Sequence, residues 1–290
     1  MNGFGAIVMK MAKKADESNP PSDDEYINKD DHGLLYCSKC HTRCQSLIEV
    51  PDGDGGTVEI RPRVPCKCRT EAVEEERRKK EQAALEERIA KMKMKSGIPA
   101  LYTEASFGTF TQTKENAPVF KMAKRYAEKF DEMKSLGKGL LFHGGVGTGK
   151  TYTAACIGNA LIDAGFSVFM TSTYEMLKLR ETDDEELYES RVFGSSLLIV
   201  DDIGAERTTD YGREKVFGYI DGRCNTGLPM IFTTNLDFQK MLKPDSQQEA
   251  RIYDRIMKRC FPVAFVGESW RRAEARDNFA EMKAILNGSD

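Results

Sequence analysis

The residues with the most chemical content are Gly144-Gly145-Val146-Gly147-Thr148-Gly149-Lys150-Thr151. Their spacing, G-x-x-x-x-G-K-T, suits a phosphate-binding loop. The backbone must curl around a polyphosphate with its N–H groups inward, and a Cβ at several of these positions would block that path. Lys150 then offers a point charge to the β- and γ-phosphates, and the Thr151 hydroxyl is placed to ligate Mg2+. Tyr152 follows directly and is counted with the nucleotide-binding residues. A companion site is Asp201-Asp202, immediately after the apolar Leu197-Leu-Ile-Val200. Asp201 at a strand end would hold Mg2+, directly or through water, while Asp202 orients and polarises the water that attacks the γ-phosphate. Asn235 ends another apolar run and is suited to hold that water or to sense the γ-phosphate. Arg251 and Arg255 stand at i,i+4 on a helix that also carries Arg259, and one of them could reach as an arginine finger into a neighbouring subunit's nucleotide. The competing readings are plain ones: a glycine-rich turn, an acidic loop, a turn-forming Asn and solvated arginines.

A third cluster uses sulfur. Five of the eight cysteines fall in one short segment: Cys37-Ser-Lys-Cys40, Cys44, and Cys66-Lys-Cys68 after a stretch containing Asp52-Gly-Asp-Gly-Gly56 and the alternating Thr57-Val-Glu-Ile60. Two knuckles joined by a hairpin can close a tetrahedral Zn2+ site, with Cys37, Cys40, Cys66 and Cys68 as the ligands favoured and Cys44 or His41 as spare candidates. A closed four-thiolate site is structural rather than catalytic, and a module this short has little other core to hold it.

The elements that must position these groups follow from periodicity. Residues 1–31 show neither period and read as disordered; 32–70 form the zinc module; 71–97 read as a charged, solvated helical linker with i,i+4 pairs and a thin stripe of Leu85, Ile89 and Met92; 98–290 form the ATPase domain. Within it, Val119, Met122, Tyr126, Phe130 and Met133 recur on one helix face. The apolar runs 139–143, 167–171, 196–200, 230–235 and 262–266 read as strands, alternating with helices over 152–164, 173–180, 213–224 and 247–259, and a charged helical tail from Ser269. Such alternation specifies an α/β fold, a parallel sheet with helices on both faces, and ligands in such sheets bind at the carboxyl ends of the strands. The strand at 167–171 between the two acidic-site motifs suits P-loop proteins of the ASCE type, which activate water, and argues against small nucleotide kinases.

A formal net charge of -3 with 31% charged residues is not that of a dedicated duplex-binding protein. No apolar run reaches the roughly 18 residues needed to cross a bilayer, and the N-terminus lacks a secretory pattern, so the expectation is a cytoplasmic protein with no membrane contact and reduced cysteines.

From about Ile98 to Arg271 the chain resembles the DnaC/DnaI/IstB group of AAA+ ATPases, replicative helicase loaders and their transposition relatives. The resemblance is carried by Gly139-Leu-Leu-Phe-His-Gly-Gly-Val-Gly-Thr-Gly-Lys-Thr151, Leu197-Leu-Ile-Val-Asp-Asp-Ile-Gly-Ala-Glu206, Thr233-Thr-Asn235, Ala250-Arg-Ile-Tyr-Asp-Arg-Ile256 and Gly267-Glu-Ser-Trp-Arg271. It implies that Arg255 is the finger and that Arg271 is similar to a nucleotide-sensing arginine, with Trp270 standing where the family has Tyr. It implies ATP and Mg2+ as cofactors, slow and assembly-dependent hydrolysis, self-association through the ATP site, and a hexameric replicative DNA helicase as partner. The cysteine module is similar to the primosomal branch, especially phage-encoded loaders, and is not expected of transposition helpers. Single-stranded DNA is the second partner implied, with Tyr174, Lys178, Arg180, Tyr188 and Arg191 placed to stack on bases and track phosphates, against the acidic run 182–186. An IstB-like transposition helper and a non-catalytic nucleotide-binding interaction protein are the alternatives.

Overall fold

The structure, a computed structural model, describes residues 21–51, 56–178, 183–204 and 210–287. The chain divides into two compact units, Met1–Leu85 and Glu86–Asp290.

In the first unit, strand β1 (Glu25–Asn28) pairs antiparallel with β2 (Leu34–Cys37), and β3 (Ile48–Pro51) with β4 (Thr57–Ile60). β1 lies inside the stretch 1–31 expected to be disordered. Its residues bury no common face, so periodicity could not reveal it; backbone pairing with β2 is what orders it. Residues 1–20 of that stretch lie outside the described residues. The buried core is small and sulfur-rich: Leu35, Cys37, Cys44 and Cys66, with Cys40 and Cys68 packed against it. Arg63 adds an ion pair to Glu25 that ties β1 to the far end of the module and holds the Glu25 carboxyl down at about 2. Helix α1 (Lys67–Lys95) begins before the expected linker and takes Cys68 into its first turn. Its exposed surface carries the pairs Glu75–Lys79, Glu76–Lys80 and Glu87–Lys91, while Glu74 pairs with Arg77 instead of Arg78.

In the second unit the thin stripe at the end of this helix docks: Ile89 and Met92 pack against the core of that unit, and Lys93 pairs with Asp163. The chain then turns at Gly97, φ 69°, and the Ser96 carbonyl accepts from the Met170 amide at 2.6 Å, covering part of a strand edge.

Helices α2 (Ala117–Glu128) and α3 (Phe130–Leu136) replace the single helix expected there, because the backbone breaks at Lys129. The buried residues are Val119, Ala123, Tyr126 and Phe130, and Met122 faces solvent. Five strands follow in one parallel sheet: β5 (Gly139–Gly144), β6 (Val168–Ser172), β7 (Leu197–Asp201), β8 (Met230–Thr234) and β9 (Cys260–Phe265), in the order β6-β7-β8-β5-β9. Between them run α4 (Lys150–Asp163), α5 (Thr173–Lys178), α6 (Asp183–Gly194), α7 (Asp210–Thr226), α8 (Phe238–Leu242) and α9 (Gln247–Arg259), with α10 (Trp270–Leu286) last.

Both sheet faces are covered, and strand alternation shows how. Leu140, Phe142, Leu197, Ile199 and Ile231 pack with α2 and α4, whereas Leu141, Leu198, Val200 and Phe232 pack with α7 and α9. Between α6 and the turn before β8, fully buried Arg223 donates to the carbonyls of Val192, Phe193 and Pro229. Because β8 lies between β5 and β7, the carboxyl ends of these three strands bring the loop after β5, Asn235 and the two acids to one place.

A Cβ at Gly97 would collide with the Met170 carbonyl, and the residue sits in the left-handed region. Gly97→Ala is expected to lower stability by about 1–3 kcal/mol. Thermal unfolding of the variant measures this; an unchanged midpoint would show that the turn is not held in this form.

Candidate functional site

The loop after β5 is shaped by glycine. Gly144, Gly147 and Gly149 have φ of 139°, 79° and 95°. A Cβ at Gly144 would strike the Phe265 carbonyl, and one at Gly147 would strike the Ser269 side chain. Gly145 and Val146 are exposed, and buried Thr148 closes the turn by donating to the Gly145 carbonyl at 2.8 Å. α4 starts on Gly149, so its positive end faces the loop's interior.

Lys150 is buried at 5% exposure, and its three protons have three acceptors: the carbonyls of Gly144 (2.9 Å) and Gly145 (2.7 Å) and Asn235 Oδ1 (2.8 Å). Burial lowers its pKa, with Asp202 and Asp201 opposing that shift. Asn235 in turn donates through Nδ2 to Asp202 Oδ1 at 2.9 Å. Thr151 Oγ1 donates to Asp201 Oδ1 at 2.9 Å, and Thr233 Oγ1 donates to the same oxygen at 2.5 Å. Burial raises the Asp201 pKa, and the Thr233 and Thr151 hydroxyls counter it. Lys150, Thr151, Asp201, Asp202 and Asn235 are therefore one connected network at the strand ends.

The donor set fits the groups that the motifs imply. A carboxylate and a threonine hydroxyl side by side are hard oxygen ligands appropriate to Mg2+, and glycines whose Cβ would clash leave backbone N–H groups free to approach phosphate.

Ser269 caps α10 by accepting from the Arg272 amide, and the Trp270 amide donates to the Gly147 carbonyl at 2.9 Å, which seats the start of α10 on the loop. Arg271 is exposed and close enough to lower the Lys150 pKa. Tyr152 turns away from the glycines: its hydroxyl meets Thr109 Oγ1 at 2.8 Å, and its ring packs near Tyr102 and Phe110.

Arg255 stands apart from this network. Its Nε donates to Asp221 Oδ1 at 2.7 Å, and Nη1 lies 3.7 Å from Asp254. Arg251 lies over the Phe217 ring, 4.1 Å from its centroid, and Arg259 donates to the Cys224 carbonyl. Of the residues expected to contact single-stranded DNA, Tyr174 is exposed with Lys178 5.9 Å from its ring centroid. Tyr188 is half-buried at the edge of the core, bonded to Thr171 and packed between Phe169 and Tyr219, and Arg191 lies over Phe169. Arg180 lies outside the described residues. Sequence reasoning missed Thr233 and Thr173; the only clue to Thr233 was a hydroxyl two residues before Asn235, on the same side of the strand.

In the first unit, one sulfur each from Cys37, Cys40, Cys66 and Cys68 lies within 4.8 Å of the others. Cys37 and Cys68 are 3.6 Å apart, and Cys66 and Cys68 3.3 Å. Tetrahedral Zn–S bonds of about 2.3 Å require sulfurs about 3.8 Å apart, so the cluster fits Zn2+. The amides of Cys40 and Lys39 hold the Cys37 thiol below its ordinary value, whereas the crowding of Cys66, Cys37 and Cys40 pushes that of Cys68 up to about 12, so the convergence of the sulfurs and not their acidity carries the metal reading. Cys44, although buried close by, is not among the sulfurs that converge; desolvation with the nearby Glu25 charge pushes its thiol up to about 12. His41 faces Tyr26, its Nδ1 3.4 Å from the hydroxyl.

The sequence profile of the family described as "IstB-like ATP binding protein" matches residues 70–278. The chain is 26% identical over 199 residues to the replicative helicase loader DnaI of Bacillus subtilis, covering 62% of this chain and 64% of DnaI, so it spans slightly under two thirds of that relative. It is 27% identical over 187 residues to the replicative helicase loader DnaC of Escherichia coli K12, covering 60% of this chain and 74% of DnaC. Solved structures of the DnaC helicase loader and of DnaI share the fold, each with a TM-score of 0.51, at 23% and 24% identity. They cover 58% and 59% of this chain and 100% and 96% of theirs.

Metal analysis of purified protein is expected to find close to one zinc per chain. Cys66→Ser should lose it and Cys44→Ser should keep it; the reverse result would show the wrong ligand set.

Proposed function

The chain belongs to the IstB-like family of ATP-binding proteins, and we propose that within it the protein is an ATP-hydrolysing replicative helicase loader whose nucleotide state controls assembly. The observation that carries the ATPase reading is the continuous link from Lys150 through Asn235 to Asp202, beside Thr151 and Asp201.

Thr151 and Asp201 would hold Mg2+, which would supply positive charge against the phosphates. The backbone N–H groups of the loop 144–151 cradle the phosphates, and Lys150 exchanges at least one of its three present acceptors for a phosphate oxygen. Asp202 is exposed at the strand end, where it accepts a proton from the attacking water while Asn235 orients it. Arg271 completes the nucleotide contacts, whereas Tyr152, expected among them, is turned toward Thr109, Tyr102 and Phe110 and takes no part. Arg255 acts on the site of a neighbouring subunit, because its partners in its own chain are Asp221 and Asp254, away from the phosphate loop.

Support for a replicative helicase as partner, proposed to be the hexameric one, comes from the names of the DnaI and DnaC relatives, which say replicative helicase loader; the four-cysteine module, with Zn2+, is the part proposed to bind it. Single-stranded DNA is proposed to bind at Tyr174 and Lys178. The alternative role of transposition helper rests only on membership of the IstB-like family. A pull-down against a replicative helicase and against an IS21-type transposase separates the two; capture of the transposase only would overturn the loader reading.

Asp202→Ala is expected to bind ATP as the parent does and to hydrolyse it at least about 100-fold more slowly. Parental turnover in this variant would remove Asp202 from the water-activating role. Arg255→Ala should keep ATP affinity within about twofold and lose roughly a thousandfold in turnover. Mixing it with Asp202→Ala should restore activity, because one subunit then offers Arg255 to the other's intact Asp202. No recovery on mixing, with ATP binding lost, would place Arg255 in its own subunit's site.

A further inference from the structure

We propose that Thr233 is the positioning residue that makes Asp201 and Asp202 a single pre-aligned unit, a role that rests on the ATPase reading above. Successive side chains in a strand point to opposite faces of a sheet. Two adjacent aspartates in extended backbone would therefore face apart, one toward Thr151 and the other through to the far side. The chain avoids this at Asp202, whose φ of 54° takes it out of the strand into the left-handed region. That conformation costs a residue with a Cβ about 1–2 kcal/mol, and it persists only where its surroundings hold it.

Thr233 provides the hold. It sits one residue beyond the Val200–Phe232 pair that joins β7 to β8, and it is fully buried. Its single hydroxyl proton goes to Asp201 Oδ1 at 2.5 Å, which leaves a lone pair to accept the Asp202 amide at 2.9 Å. One oxygen thus grips the carboxylate of the first acid and the backbone of the second. Thr173 Oγ1 holds the other side of the turn by donating to the Asp202 carbonyl at 2.8 Å, and Asn235 takes the carboxylate. Thr151 also donates to Asp201, but in the reading above its oxygen would also ligate Mg2+, a second duty that Thr233 would not have. A valine at 233 keeps the shape and removes both contacts, leaving the Asp202 amide without this partner.

The test compares Thr233→Val with Thr233→Ser, measuring turnover, binding of a fluorescent ATP analogue across a Mg2+ titration, and thermal unfolding. Thr233→Val is expected to bind the analogue at saturating Mg2+ within about threefold of the parent, to turn over roughly 10- to 100-fold more slowly, and to need more Mg2+ for half-maximal binding. Thr233→Ser should return both readouts to within about threefold of the parent. Turnover in Thr233→Val equal to the parent overturns the proposal, and so does a serine variant as slow as the valine one, since the hydroxyl would then not be what matters. If Thr233→Val does not fold, Thr233→Cys, similar in size to serine with a poor donor, is read in the same way. If the parent hydrolyses no ATP, the ATPase reading fails by itself. The Mg2+ requirement then decides: a shift in the valine variant that serine reverses supports Thr233 as the residue aligning the acids, and no shift refutes it.

Discussion

A buried ammonium must be matched by acceptors, and the ATPase unit is arranged around that requirement at Lys150. The loop carbonyls of Gly144 and Gly145 satisfy two protons, and Asn235 takes the third. Asn235 can do so only because β8 is inserted between the loop strand β5 and the acid strand β7. The same insertion sets Thr233 against Asp201 and Asp202. Burial acts on both charges at once, lowering the lysine's pKa and raising that of Asp201, while each opposes the other's shift. The network therefore holds opposed charges ready at the place where phosphate and Mg2+ would add their own.

The sheet tolerates little sliding. A one-residue slip of β8 against β7 would turn Ile231, now on the α4 side, toward α7 and move Thr233 off the acids. Packing on two faces thus serves the chemistry, since the register that buries the apolar residues also aligns the strand tips. The ends of the sheet are treated differently. The β6 edge is partly covered by Ser96 and its turn, and β9 carries a proline at 262 with Phe261 exposed.

The cysteine module follows another logic. Its buried apolar residues are two leucines and three cysteines, too little apolar area to hold two short hairpins, so the Glu25–Arg63 pair, and a metal ion on the converging sulfurs if one binds there, would take over part of that role. Cys68 enters the cluster from the first turn of α1, which makes the helix start part of the module. The far end of the same helix belongs to the ATPase unit through Ile89 and Met92.

Much of this is local and was legible without coordinates. Glycine spacing in 144–149 reflects backbone conformations that only glycine adopts cheaply, and unbroken apolar runs such as Leu197–Val200 mark strands buried on both faces. The strand β1, the break at Lys129 and the solvent-facing Met122 were not legible, because each depends on a partner distant in sequence or on which side the core lies. The same holds for the choice among six potential zinc ligands: spacing allows several sets, and convergence of four sulfurs decides. Tyr188 shows the limit most clearly. An aromatic beside basic residues suits nucleic acid, yet Thr171, Phe169 and Tyr219 enclose it. The sequence by itself determined which residues could hold a phosphate, a metal and a water. The order of the strands and the left-handed turn at Asp202 decided which of them meet, because contacts between strands about 30 to 90 residues apart are set by packing that no local pattern encodes.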